Sequence, residues 1–155
     1  MALKGDRVEH LTDIGFFKSD AVIERGLIVA HLTGGSGAAM DDSLAQVDTV
    51  AALADSAAGL ILNDVVNLDL TRQQYNANKD EMQLGGKVTL LRRGVVVTDQ
   101  ISGTPVVGEA VHFDTQGRLC TASEQNGGTP VSQQVGRWLG VLDSDGFCKC
   151  EINIV

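Results

Sequence analysis

The sequence has few prolines, few aromatic residues and no long apolar run. Only two of its 155 residues are proline, which argues against a disordered proline-rich linker. Aromatic residues make up 4%, so a core must be built mainly from Val, Leu, Ile and Ala. No run approaches the roughly 20 apolar residues that a membrane-spanning helix needs, and the first residues lack the apolar centre of a signal peptide. We therefore expect no membrane partner and synthesis in a reducing cytoplasm.

Positive charge is also scarce. Twelve Lys and Arg residues stand against 20 Asp and Glu residues, giving a formal net charge of −8. A mean field of this sign repels a polyanion, so we do not expect binding to nucleic acid. Solubility is a sufficient explanation for the acidity.

Residues that perform covalent or metal chemistry are few and scattered. Cys148 and Cys150 lie two apart on one predicted strand face, which is poor geometry for a mutual disulfide, and no second Cys or His pair has a metal-ligand spacing. We predict buried free thiols there, and a solvent-facing imidazole at His112. Residues 63–69 gather oxygen ligands without the order of a calcium loop. We expect no catalytic residue, no cofactor and no metal, and a small hydrolase built from distant Asp and His residues remains a minor alternative.

Glycine, in contrast, is abundant, and short apolar segments recur between glycine turns. Period-two alternation is clearest in residues 147–155, where Cys148, Cys150, Ile152 and Ile154 share one face. The polar residues Lys149, Glu151 and Asn153 then form the other face and could contact a partner. Residues 44–58 fit one helical face, but we favour a strand pair in this region, residues 49–53 and 60–66 joined by a hairpin loop at residues 55–59, over a helical turn. Turns are predicted at Arg93-Gly94 and at residues 102–105, 114–117, 126–128 and 143–146, and strands at residues 26–32, 49–53, 60–66, 87–91, 95–101, 109–113, 119–122 and 135–142.

This spacing predicts an all-β fold, a small β-barrel or sandwich of short antiparallel strands with an extended N-terminal arm. The β-rich domain spans residues 25–155 and is interrupted by a polar loop at residues 67–84. Residues 1–24 show no sustained period and are predicted to form an irregular arm that is unordered without a partner. Contact with another chain and packing on the protein's own core are both open for the apolar residues of this arm, which are Phe16, Phe17, Val22 and Ile23.

Several separated blocks then resemble a known family. Residues 62–72, 79–94 and 95–101, the turn at residues 103–108, and the segments 135–139 and 143–154 occur in the order found in virion structural proteins of tailed bacteriophages. They are similar to capsid decoration, or cement, proteins. The resemblance covers roughly residues 26–155 and is weakest over residues 1–24 and 44–59.

The resemblance implies a β-rich protein on the outer surface of the virion. Its partner would be the major capsid protein, whose shell it would strengthen against the internal pressure of the DNA. Such proteins self-associate in many cases, often as trimers, although some bind at twofold sites or as monomers. The family carries no catalytic motif. The alternative is another phage structural module, namely a fibre-attached or glycan-binding barrel.

Overall fold

A computed structural model describes residues 3–5, 7–17, 23–32, 46–63, 87–121 and 132–154. No helix occurs in these segments, so none there could span a membrane. The predicted all-β class is confirmed. The ten strands are β1 (Val8–Phe17), β2 (Ile28–His31), β3 (Gln46–Thr49), β4 (Ala57–Ile61), β5 (Lys87–Thr98), β6 (Ile101–Ser102), β7 (Ala110–Phe113), β8 (Leu119–Cys120), β9 (Gly136–Trp138) and β10 (Cys148–Asn153).

One curled sheet contains all ten strands and forms a half-barrel. The order is β1-β3-β2-β4-β5-β10-β9-β7-β8-β6. Because β1 also pairs with β5, each of the first five strands pairs with two others of the five, and together they form a closed set. β5 joins the two parts of the sheet. Along one edge it pairs with β1, and along the other it pairs first with β4 at Leu90 and Leu91 and then with β10 from Arg93 to Thr98.

β5 runs without interruption through Arg93 and Gly94, where the sequence predicted a turn. That prediction is wrong because the glycine serves a close approach and not a chain reversal. A Cβ atom on Gly94 would collide with the backbone oxygen of Val8 on β1. Glycine inside a strand often marks such an approach between two backbones.

The segment around β3 and β4 is extended, as the sequence favoured, but its pairing differs from the expected hairpin. Both strands flank β2 and do not pair with each other, with Val29 opposite Thr49 on one side and Gly59 on the other. A tight turn follows β3, and the Asp55 carboxylate accepts hydrogen bonds from the amides of Ala51 and Ala52 at 2.9 and 2.8 Å. Carboxylate-to-backbone bonds of this kind stabilise turns.

The final hairpin agrees with the alternation in the sequence. Core-facing and exposed residues alternate strictly along β10, so the predicted polar face is solvent-exposed. In the turn before it, the Asp143 carboxylate accepts hydrogen bonds from the amides of Phe147 (2.7 Å) and Asp145 (3.0 Å), and Gly146 adopts a φ of 82°. The first strand of the hairpin is shorter than predicted, since β9 contains only three residues.

The buried apolar residues form two clusters. The larger one is centred on Trp138 and Phe113, both completely buried, so two of the few aromatic residues lie in the main core. The smaller cluster contains Ile23, Val29, Val47, Ala58, Ile61, Val88 and Leu90, with Leu27 packed against it. Aliphatic residues thus dominate both clusters, as the composition indicated.

The N-terminal segment belongs to the sheet, and the prediction of an irregular arm is wrong for residues 8–17. β1 pairs antiparallel with β5 from Val8 opposite Val95 to Phe16 opposite Lys87. The register shifts twice near Leu11, which breaks the period-two pattern by which the strand could have been recognised. Because β1 is paired within the single chain, it does not need a partner to become ordered.

Residues before β1 also contact the sheet. Leu3 is buried in the larger cluster and forms a bridge with Thr98, and the Lys4 amide donates to the Val97 carbonyl at 3.0 Å. The Lys4 ammonium lies 3.0 Å from the Asp143 carboxylate and 4.3 Å from the centre of the Phe147 ring. The start of the chain is therefore attached to both β5 and the final hairpin.

Candidate binding surfaces

The structure describes three of the four predicted contact residues. Phe16 and Phe17 lie at the end of β1, where their backbones pair with Gln46 and Val47 of β3. Ile23 is buried in the smaller cluster, so it packs on the protein's own core, which was the second of the two interpretations. Val22 lies outside the described residues.

The sequence did not single out the residues of β1 that do face solvent. Val8, Leu11 and Ile14 are 51%, 52% and 43% exposed, and we call Val8 and Leu11 the β1 strip. These two lie opposite Val95 and Arg93, which alternate along β5, so they project from the same face of the sheet. Ile14 projects from the other face, because its neighbour Gly15 faces Leu90 of the smaller cluster. Residues three apart normally point to opposite faces of a strand. The register shifts near Leu11 explain why Val8 and Leu11 point to the same face.

The β1 strip borders a wider solvent-exposed face across β5, β10 and β9. One row runs from Val8 through Val95 and Glu151 to Arg137, because these residues are successive cross-strand partners. Leu11, Arg93 and Asn153 form the next row in the same way. We define the outer face as these two rows together with Lys149, that is Val8, Leu11, Arg93, Val95, Arg137, Lys149, Glu151 and Asn153.

The outer face is basic although the chain is acidic. It carries Arg93, Arg137 and Lys149 against the single carboxylate of Glu151, and all four side chains are exposed. None of these three cations takes part in an ion pair among the described residues, whose pairs are Lys4–Asp143, Arg7–Glu9, Arg92–Asp13 and Arg118–Asp114. Their charges are therefore presented to solvent next to exposed aliphatic side chains.

A polar groove of about 420 Å³ opens at the β9 side of the outer face. Two of its amide side chains are held by backbone contacts: Gln133 Oε1 accepts from the Ala57 amide at 3.2 Å, and Gln134 Nε2 donates to the Gly136 carbonyl at 3.1 Å. Gly136 permits the close approach of β10, since a Cβ atom there would collide with the Glu151 carbonyl oxygen. The lining consists of Gln133, Gln134, Gly136, Arg137, Glu151 and Asn153.

A second apolar surface is formed by two neighbouring loops. The loop before β7 is joined to the end of β9 by two hydrogen bonds of 2.9 Å, from the Gly108 amide to the Trp138 carbonyl and from the Trp138 amide to the Glu109 carbonyl. The buried indole of Trp138 anchors this junction in the core. Between 36% and 63% of each aliphatic side chain in these loops is exposed, and we call them the loop patch: Val106, Val107, Leu139, Val141 and Leu142.

His112 is buried, so the prediction of a surface imidazole is wrong. β7 lies between β8 and β9, and three of its four residues are buried. The His112 Nδ1 atom lies 3.0 Å from the Ser132 carbonyl oxygen, and the Ser132 hydroxyl accepts from the Phe113 amide at 3.2 Å. This imidazole connects β7 to the segment before β9 and has a structural role.

The cysteines are free and buried, as predicted. Burial raises the pKa of the Cys150 thiol, and the neighbouring Cys148 raises it further. Burial also raises the pKa of Cys148, against smaller opposing effects of backbone hydrogen bonds. Thiols that stay protonated are poor nucleophiles and poor metal ligands. Among the described residues no group of three or more His, Cys, Asp or Glu side chains could hold a metal ion.

Comparison with protein families and with curated proteins finds no family model and no protein that matches this chain.

Proposed function

We propose that this protein is a capsid decoration protein of a tailed bacteriophage, which binds the outer surface of the major capsid protein shell and stabilises the head. The ordered sequence blocks support the proposal, and the structural observation that carries it is the β1 strip. Val8 and Leu11 are large, exposed and fixed side by side on a strand that is paired along its length. Exposed apolar residues grouped in this way are typical of protein interaction sites.

The size of the strip suits a contact that is repeated many times. Each of its two side chains is about half exposed, so its complete burial would contribute about 1 kcal/mol and the two together about 2 kcal/mol. This contribution to the binding free energy is modest for one copy of the protein. On a symmetric shell, however, each contact recurs, and self-association of the decoration protein, for example as a trimer, would link several contacts into one multivalent unit.

Mixing the purified protein with undecorated capsids tests the proposal. We expect saturable binding in a co-sedimentation assay and a higher temperature of DNA release from the decorated heads. Serum albumin at the same concentration serves as the control for nonspecific crowding. A protein that does not bind at saturating concentration and does not change the release temperature contradicts the proposed function.

The polar groove favours one second candidate, a glycan-binding module of the virion. Its planar amide, guanidinium and carboxylate groups are suited to bind neighbouring hydroxyl groups of a sugar, and about 420 Å³ accommodates a small saccharide. Screening the protein against a glycan array tests this candidate. Binding that disappears in Asn153→Ala, which removes an exposed lining amide, would support the second candidate.

A further inference from the structure

We propose that the outer face is the surface that docks on the capsid, and that it takes an acidic and partly apolar patch of the major capsid protein. This inference rests on the proposed function and assigns the contact to one face of the molecule. It distinguishes the outer face from the loop patch, which is equally exposed and more apolar.

Charge is the first argument. The chain as a whole is strongly acidic, yet three cations and one carboxylate occupy this face. Simple solvation does not require cations there, because the acidic residues that dominate elsewhere would serve as well. Concentrated positive charge on an acidic protein steers that face, and not others, toward a negatively charged surface.

Geometry is the second argument. Four neighbouring strands place Val8 and Arg137 about 14 Å apart, and the section of β5 from Arg93 to Val97 is about 13 Å long. The resulting area of roughly 180 Å² is almost a quarter of the approximately 800 Å² that each partner contributes to a standard interface, so the outer face forms the centre of a larger contact. Aliphatic residues at one side and cations at the other give the face both apolar area and a charged rim.

Two other occupants fit the face less well. A second copy placed symmetrically against the same face would bring Arg93, Arg137 and Lys149 near their own equivalents, and like charges across an interface are unfavourable. Nucleic acid would meet three cations on a molecule whose net charge is −8, and it would make no use of the exposed aliphatic residues. An acidic protein surface uses both the cations and the β1 strip.

The test compares matched variants in the same capsid co-sedimentation assay. Leu11→Ser and Val107→Ser remove an aliphatic side chain of similar exposure from the outer face and from the loop patch. Arg137→Gln and Glu151→Gln remove opposite charges from two residues that are directly opposite each other. Thermal unfolding of each variant establishes that the fold is retained, and light scattering measures the oligomeric state.

We expect Leu11→Ser to weaken binding about tenfold and Val107→Ser to leave it unchanged. Arg137→Gln should weaken binding about threefold and Glu151→Gln should strengthen it by a similar factor, with both effects reduced at high salt. If the wild type binds and only Val107→Ser loses affinity, the inference is wrong while the proposed function stands. Conversion of an oligomer to monomers by Leu11→Ser would identify the face as a self-association surface and also overturn the inference. If the wild type does not bind capsids at all, the proposed function itself fails.

Discussion

Substitution of Gly94 by alanine tests the close approach between β1 and β5. The added methyl group would collide with the Val8 backbone oxygen, which cannot move away by a change of rotamer. Gly94 is paired with β1 on one edge of β5 and with Ile152 of β10 on the other, so β5 cannot shift without disturbing both neighbours. The collision can be relieved only by separating β1 from β5.

The sign of the change in the free energy of unfolding distinguishes two effects of the added methyl group. Gly94 does not adopt a positive φ, so without the collision alanine would stabilise the protein by about 0.4–1 kcal/mol through the lower entropy of the unfolded chain. Overpacking of a close contact costs about 1–3 kcal/mol instead. We therefore expect Gly94→Ala to lower the free energy of unfolding by about 1–2 kcal/mol. The corresponding fall in Tm is about 2–8 °C for a protein of this size.

Gly140→Ala is the matched control, since its nearest neighbour would be the Lys149 Cβ atom at an ordinary 3.8 Å. Urea denaturation of both variants gives the free energies, and hydrogen exchange of the β1 amides localises the change. We expect faster exchange in β1 of Gly94→Ala and no loss of stability in Gly140→Ala. Our account of β1 and β5 is refuted if Gly94→Ala is as stable as the wild type or more stable.

Three further predictions concern the start of the chain, His31 and the thiols. Leu3→Ala should lower the free energy of unfolding by about 2 kcal/mol, because Leu3 is buried in the main core. Leu11→Ala, at a half-exposed position, should have little effect. Equal effects of the two substitutions in urea denaturation would contradict the packing of Leu3 in the core. Partial burial and the nearby Arg92 lower the pKa of His31 below 6.5, with Asp13 opposing them, so the unfolded chain takes up the proton first as the pH falls. The stability provided by neutral His31 is complete above pH 6.5 and is lost at lower pH. We therefore expect the free energy of unfolding to decrease from pH 7.5 to 5.5 more in the wild type than in His31→Gln. Identical pH profiles of the two proteins would disprove this prediction. The three thiols should react with a disulfide reagent only after unfolding, because all are buried and the pKa values of Cys148 and Cys150 are raised; rapid labelling of the native protein would show that they are accessible.

The local pattern was sufficient to predict the second half of the fold. β7, β8 and β10 lie within the predicted strands, and the alternation along β10 identified its buried face, because the core covers only one face of that strand. Gly94 misled the prediction because a glycine needed for close approach looks the same in sequence as one needed for a turn. The pairing of β2 with both β3 and β4 depends on contacts between distant segments, which local periodicity does not report.

Prediction of the candidate site was less successful. The contact residues predicted for the N-terminal segment are Phe16, Phe17, Val22 and Ile23. Of these, Ile23 is in the core and Val22 lies outside the described residues, whereas Val8, Leu11 and Ile14 are exposed. Only the pairing with β5 shows that Val8 and Leu11 share a face, because the bulge near Leu11 hides their relation. The polar face of β10, in contrast, could be read directly from the sequence and became part of the outer face.

The central position of β5 also determines the order in which the protein can fold. β1 pairs with a strand that lies far along the chain, so during synthesis the segment around Val8 leaves the ribosome long before Val95 exists. β10, which covers the other edge of β5 from Arg93 to Thr98, is made later than the other nine described strands. Contacts so distant in sequence close slowly, and until they close most of β1 lacks its partner strand, so its backbone hydrogen-bonding groups are exposed beside its apolar side chains. Newly made chains of this protein are therefore most prone to aggregate before β5 is complete, at the same residues through which we expect the folded protein to bind its capsid.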